Sequence, residues 1–161
     1  MRNVSIQIVA LALSTLFVAC DPHNQGGEFK YELTGPSGGV AIVSVSPGTI
    51  FLSPVNSVTC LTSFNLVVDA RAVGDLFMDA ASFRFIDGST IGQTPLISWF
   101  TQPELNTLFG QTLIAGGTSR AFAFSPQFGC DNFHPQTMTA NVTLHDRSGS
   151  PQQMSVSSSI H

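Results

Sequence analysis

The chain has 161 residues, 43% of them hydrophobic and only 10% charged, with six Lys and Arg against ten Asp and Glu for a formal net charge of −4. That balance excludes nucleic acid as a partner, because polyanions are held by clustered cations that displace counterions, and it argues equally against electrostatic attachment to anionic lipid. The length suffices for one domain with a real core.

The first twenty residues read MRNVSIQIVALALSTLFVAC: one cation, Arg2, then an apolar run from Val4 to Ala19 that stops at Cys20. Gln7, Ser14 and Thr15 interrupt the run. An export segment needs about 7–15 apolar residues and a bilayer span roughly 20, so the pattern suits a cleaved signal better than a transmembrane anchor. Phe17-Val18-Ala19-Cys20 resembles the lipobox of bacterial lipoproteins, with Phe where the family usually carries Leu. The resemblance implies cleavage after residue 19, acylation of Cys20 with diacylglycerol and palmitate, and a domain held outside the cytoplasm in the cell envelope. An ordinary signal peptide that happens to contain a cysteine is the alternative. Removal of residues 1–19 leaves five Lys and Arg, Lys30 being the sole lysine, against ten Asp and Glu, a net charge of −5.

Residues 20–39 are expected to form a lipid-anchored flexible tether, since Gly, Pro and polar residues dominate DPHNQGGEFKYELTGPSGG and no periodicity persists. Asp21, directly after the acylated cysteine, resembles the inner-membrane retention signal of some enteric bacteria. That rule does not hold across bacteria, so inner and outer membrane both stay open.

From Val40 to His161 the pattern has period two, broken by turn residues. VAIVSVSP predicts a strand, and GTIFLSP a second one after Pro47-Gly48. Thr59 to Ala70 predicts one long strand with Cys60, Thr62, Phe64, Leu66 and Val68 on one face and Ser63, Asn65 and Asp69 on the other. ASFRFIDG puts Phe83 and Phe85 opposite Arg84 and turns at Asp87-Gly88. Thr101-Gln102-Pro103-Glu104 matches a capping box for a short helix joining two strands across a sandwich, with Leu105, Leu108 and Phe109 as its apolar face and Gly110 ending it in the left-handed conformation. SRAFAF places Phe122 and Phe124 together, TMTANVTLHD turns Met138, Ala140, Val142 and Leu144 inward, and QQMSVSSSI pairs with it through the HDRSGSP turn, burying Met154, Val156 and Ile160.

With Cys20 acylated, Cys60 and Cys130 are the remaining thiols, and in an oxidising compartment they are expected to pair. A loop of about 70 residues closed this way stabilises the fold by roughly 4 kcal/mol through chain entropy. A metal site using Cys130, Asp131 and His134 is the alternative, but no second Cys or His lies near Cys60 to complete a tetrahedral set. Seven or so short strands, a bridging disulfide and an aromatic core resemble the immunoglobulin-like and fibronectin-type sandwiches. The sequence departs from the immunoglobulin pattern in three places: Trp99 lies far from Cys60, Cys130 sits before the strand carrying Met138 to Leu144 and not inside it, and Phe128 stands where the tyrosine-corner hydroxyl would be. The expected fold is therefore all-β, an immunoglobulin-like antiparallel β-sandwich of about seven strands with one short helix, spanning residues 40–161 after a cleaved N-terminal signal.

No nucleophile elbow, zinc-protease helix, phosphate loop or dinucleotide fingerprint occurs. His23 lies in the tether, His161 at the end and His145 beside a turn, which leaves His134 as the one interestingly placed imidazole. Asp69, Asp131 and His134 would have to converge for an acid–base site. Asp69, Asp75, Asp79 and Asp87 could offer oxygens to calcium, but match no EF-hand spacing and read more simply as solvated turn carboxylates. The sequon Asn141-Val142-Thr143 suits a eukaryotic glycan, whereas the N-terminus reads as bacterial. The expectation is a non-catalytic, membrane-tethered structural or interaction module without cofactor or metal, meeting an envelope protein or a glycan. An accessory lipoprotein aiding assembly of an envelope complex, and a small envelope enzyme, are the alternatives. Phe128, Asp131, Asn132, Phe133 and His134, in the segment Cys130 would anchor, combine aromatic and polar groups suited to binding. Phe128 and Phe133 could equally cap the core beside the disulfide.

Overall fold

Alternation of apolar and polar residues persists along nearly all of the chain after Val40, and the structure converts it into two stacked β layers. The structure, a computed structural model, describes residues 31–34, 40–87, 96–130 and 134–161. In chain order the strands are β1 (Tyr31–Thr34), β2 (Val40–Ser46), β3 (Thr49–Ile50), β4 (Leu52–Pro54), β5 (Thr59–Thr62), β6 (Phe64–Asp69), β7 (Leu76–Asp87) and β8 (Leu96–Thr101). The helix α1 (Gln102–Phe109) follows, then β9 (Leu113–Ile114), β10 (Ser119–Phe124), β11 (Gln127–Gly129), β12 (Pro135–Asp146) and β13 (Pro151–Ile160).

One layer is a four-stranded antiparallel sheet, β1-β2-β6-β10, continued by a three-stranded sheet, β11-β5-β4. The other is six-stranded, ordered β3-β13-β12-β7-β8, with β9 also pairing β7. All pairings are antiparallel except the short β3–β13 contact. The fold is an all-β sandwich, and the thirteen strands among the described residues exceed the seven or so expected because several are two to four residues long. Such fragments carry too little alternation to be read.

Inward rows follow the expected parity. Cys60, Thr62, Phe64, Leu66 and Val68 are all buried, as are Met138, Ala140, Val142 and Leu144 opposite them. The segment from Thr59 to Ala70 is nonetheless two strands: the chain breaks at Ser63, so that β5 pairs β4 and β11 while β6 pairs β2 and β10. The same break recurs on the partner at Ser125-Pro126, and the hydroxyls of Ser63 and Ser125 meet at 3.1 Å. Alternation runs straight through such a joint, because neither half changes face.

Aromatic rings weld the layers. Phe83 of β7 meets Phe64 at 4.9 Å and Phe124 at 4.5 Å between ring centroids, in edge-on geometries, and Phe85 meets Phe128 at 5.1 Å. Burial of a Phe side chain contributes about 1.5–3 kcal/mol, and a well-set ring pair about 0.5–1.5 kcal/mol beyond that. The disulfide joins Cys60 to Cys130 with Cα atoms 5.6 Å apart, beside this cluster.

The helix does not cross the sandwich. β8 runs along β7 from Phe85 to Ala80, and β9 resumes the same side of β7 at Phe77 and Leu76, so α1 is an excursion inserted into one edge of the six-stranded sheet. Its start is the capping box expected from the sequence: the Glu104 carboxylate accepts from both the N–H and the hydroxyl of Thr101, each at 2.7 Å. Leu105 is fully buried and Phe109 packs edge-on against Phe122 and Phe124, whereas Leu108, expected on the apolar face, is 56% exposed. Gly110 ends the helix at φ +74° but ψ −125°, a glycine-favouring conformation other than the left-handed helical one expected.

Tyr31–Thr34, within the segment expected to be a tether, pairs in register with Val40–Val43, so β1 is part of the sandwich. Four residues gave no periodicity long enough to reveal it. The signal, Cys20 and the rest of the 20–30 segment lie outside the described residues. Among those described, no helix is long and apolar enough to cross a membrane.

Candidate functional site

The disulfide fixes where β11 and Cys130 sit. Cys130 donates its N–H to Val58 O, and Phe128 lies opposite Cys60 in the β11–β5 register. Phe128 is buried at 6% exposure against Phe85 and so contributes to the core. His134 is exposed, its backbone N–H donating to Asp87 Oδ2 at 3.2 Å. Asp131, Asn132 and Phe133 lie outside the described residues.

The other described carboxylates are dispersed and each is engaged. Asp69 holds the Arg71 guanidinium and its backbone N–H, and the Arg71 side chain is the main cause of its lowered pKa; Arg71 is raised in turn. Asp75 accepts from the N–H of Gly116 at 2.8 Å and from Arg147 at 2.6 Å, which hold its carboxyl below the usual range. Gly116 lies so close to Gly74 that a Cβ would come within 2.9 Å of its backbone, so glycine is required there for the turn to accept this bond. Asp79 pairs with His145 Nδ1 at 2.7 Å, and the imidazole stacks on Phe77 at 5.0 Å. Asp69 closes β6 beside the turn into β7, while His134 sits by Asp87 at the far end of that strand, roughly 35 Å of extended chain away. The structure therefore does not bring Asp69 and His134 together. Among the described residues no three His, Cys, Asp or Glu side chains gather as a metal set.

The face with binding geometry is the outer surface of the six-stranded sheet. A bulge at Asp79, where Leu144 pairs Met78 but Thr143 pairs Ala80, shifts the parity of β7. Beyond it Ala80, Ser82 and Arg84 occupy the outward row. Pairing registers then line up residues straight across four strands: Trp99, Ser82, Asn141 and Ser155 in one row, and Thr101, Ala80, Thr143 and Gln153 in the next. Between these rows lies a shallow groove. Its relief has a simple origin: the middle strand offers only Ala80, Ala81 and Ser82, while Trp99 rises on one flank and Asn141, Thr143 and Gln153 on the other.

Trp99, the single tryptophan, is 61% exposed, and Ile97 beside it 57%. Asn141 accepts from the Ser155 hydroxyl, which leaves the two N–H donors of its amide for other partners. No titratable side chain lines the groove; Arg84 lies one row beyond it on one side, and His145, paired with Asp79, one row beyond it on the other. Sequence reasoning missed Trp99 as a surface residue. LISWFT alternates between two faces that are both partly apolar, Leu96 and Phe100 against Ile97 and Trp99, so periodicity could not say which face was core. The outward placement of Asn141 and Thr143 was legible.

No known protein family and no curated protein matches the chain. Solved structures resemble it in fold. A structural-genomics target designated SoR45 superposes with a TM-score of 0.51 at 11% identity, over 72% of this chain and 81% of that one. A putative ApaA protein from Bordetella pertussis gives 0.47 at 12% identity, over 74% and 93%, and the C-terminal domain of wzt gives 0.41 at 10% identity, over 86% and 83%. At such identities the first likeness supports the sandwich fold alone, and the other two carry no argument.

Proposed function

We propose that this chain is a lipoprotein of the bacterial cell envelope, tethered to a membrane through acylated Cys20, whose β-sandwich acts as a non-catalytic structural or interaction module for an envelope protein or glycan. The observation that carries the interaction reading is the outer face of the six-stranded sheet, where Trp99 and Ile97 stand exposed beside a groove of neutral polar side chains. Adjacent exposed apolar side chains rimmed by polar groups mark interaction surfaces, and aromatic anchors dominate binding energetics. The described aspartates and Glu104, by contrast, are engaged at turns, a helix cap and ion pairs at separate places.

A second reading, an accessory factor for assembly of an envelope complex, draws on the same strand differently. β8 ends the six-stranded sheet as described, and an edge bearing Ile97 and Trp99 can accept a strand from a partner protein. The test is expression of the full chain in a bacterium fed clickable palmitate, followed by crosslinking in the intact envelope. The chain should take up label, Cys20→Ser should not, and Trp99→Ala should lose the crosslinked partner while remaining folded. Undiminished labelling of Cys20→Ser removes the lipoprotein reading, and unchanged crosslinking of Trp99→Ala removes this face as the site.

A further inference from the structure

We infer that the groove on the outer face of the six-stranded sheet is a binding site for a neutral saccharide, with a sugar ring stacked on the Trp99 indole. The inference rests on the interaction-module reading and deepens it by naming the site and the ligand chemistry.

An indole presents a broad apolar plate with a negative π face. The C–H hydrogens on one side of a pyranose ring form a weakly positive, apolar patch of matching size. The rest of a sugar is hydroxyls, each both donor and acceptor, and these require partners of either sense. The groove supplies them: Asn141 and Gln153 carry amides, and Ser82, Thr143 and Ser155 carry hydroxyls. Extended backbone on four paired strands holds these groups at fixed spacing, which limits the ordering entropy that binding would cost.

Other occupants fit less well. A nucleotide could stack on Trp99, but its phosphates would find no cation lining the groove: Arg84 stands one row away and His145, on the other side, is already paired with Asp79, on a chain of net charge −4. A lipid surface would strip water from Asn141, Thr143, Gln153 and Ser155 without replacing their hydrogen bonds. A protein interface needs about 800 Å² on each partner with an apolar centre, whereas here the indole is ringed on its groove side by polar groups. An acidic glycan would place carboxylates in a groove with no titratable lining to receive them. What remains is a neutral glycan.

Because Trp99 is the only tryptophan, its emission reports on this groove alone. Purified folded protein is titrated with a panel of neutral hexasaccharides (α- and β-linked glucose, mannose and N-acetylglucosamine series) and with uronic-acid hexasaccharides as controls. At least one neutral member should give a saturable change in Trp99 emission. In affinity electrophoresis through the corresponding polysaccharide, Trp99→Ala should weaken retention by about tenfold or more and Asn141→Ala by roughly fivefold, with unchanged thermal melting. A panel without a saturable neutral ligand overturns the inference, as does retention that Trp99→Ala leaves intact or binding confined to the acidic controls. Crosslinking of an envelope protein through Trp99, with no saccharide bound, overturns the saccharide and leaves the interaction module standing. Loss of neither ligand nor partner on altering this face removes both.

Discussion

Arg120 donates from Nη2 to the carbonyl of Phe109 at 3.0 Å, so a side chain of one sheet closes the end of the helix inserted into the other. The same guanidinium reaches Gln111 O and, at 2.7 Å, Leu113 O, and it lies 4.7 Å over the Phe122 ring. Helix carbonyls at a C-terminus have no intrahelical donors, and the last turn of α1 holds no basic residue of its own. A cation on a neighbouring strand supplies both the hydrogen bonds and the favourable charge. The arrangement also explains how an edge strand tolerates an excursion of this size: Phe109 is pinned from below by Phe122 and Phe124 and from its carbonyl by Arg120.

Arg120→Met should therefore cost about 2–4 kcal/mol, since three charge-assisted bonds vanish and three carbonyls lose their donor while the apolar stem over Phe122 is kept. Arg120→Lys should recover less than half of that, because a single ammonium cannot span the three carbonyls. Urea unfolding of the three proteins checks both. A midpoint for Arg120→Met equal to that of the parent would mean the helix end is held by something else.

Much of this architecture was legible and some was not, for definite reasons. The rows Cys60 to Val68 and Met138 to Leu144 obeyed parity because one face of each strand is core and the other solvent or groove. The capping box at Thr101 and Glu104 was local chemistry and needed no tertiary context. Insertion of α1 into a sheet edge was invisible, since β8 and β9 pair the same strand only in three dimensions. The break at Ser63 was hidden for the converse reason: the side-chain pattern continues while the hydrogen-bond partners change. At the site, the polar flank from β12 could be read from its alternation, but Trp99 needed the structure to show which face of β8 is outside.

Stability should be flat at neutral pH and decline in acid. The carboxyls of Asp69, Asp75, Glu104 and Asp146 are all lowered, by the Arg71 side chain, the Gly116 N–H, the Thr101 N–H and the Ser148 hydroxyl respectively as the largest causes. A group with a depressed folded pKa contributes stability that is complete above its unfolded value, near pH 4, and is lost as pH falls through the folded value below that. Melting temperature should therefore be steady from about pH 7 to 5 and drop below about pH 4. Combining Asp75→Asn with Glu104→Gln should lower the neutral plateau slightly and make the acid limb shallower. The effect stays small because these groups are exposed and solvent-screened. An acid limb as steep as the parent's in the double variant would assign the pH dependence to other groups.

Thr62 gives the opposite kind of prediction, a gain. It stands in the inward row between Cys60 and Phe64, fully buried, and among the described residues its Oγ1 is the one buried side-chain oxygen or nitrogen without a hydrogen-bond partner. Burying a hydroxyl unpaired costs on the order of 1–3 kcal/mol, and nothing in this row offsets it. Valine keeps the β-branch and nearly the volume, replacing the hydroxyl with a methyl that the surrounding apolar side chains can accommodate. β-strand propensity is retained as well, since both residues suit the pleated surface. Thr62→Val should therefore stabilise the sandwich by about 1 kcal/mol, whereas Thr62→Ser, which keeps the hydroxyl and loses a methyl, should destabilise it by a similar amount. Chemical denaturation of the three proteins, with the disulfide verified intact in each, reads the sign directly. If Thr62→Val proves less stable than the parent, the hydroxyl has a partner in the native protein, and a buried water beside the Cys60–Cys130 bridge is where to look for it.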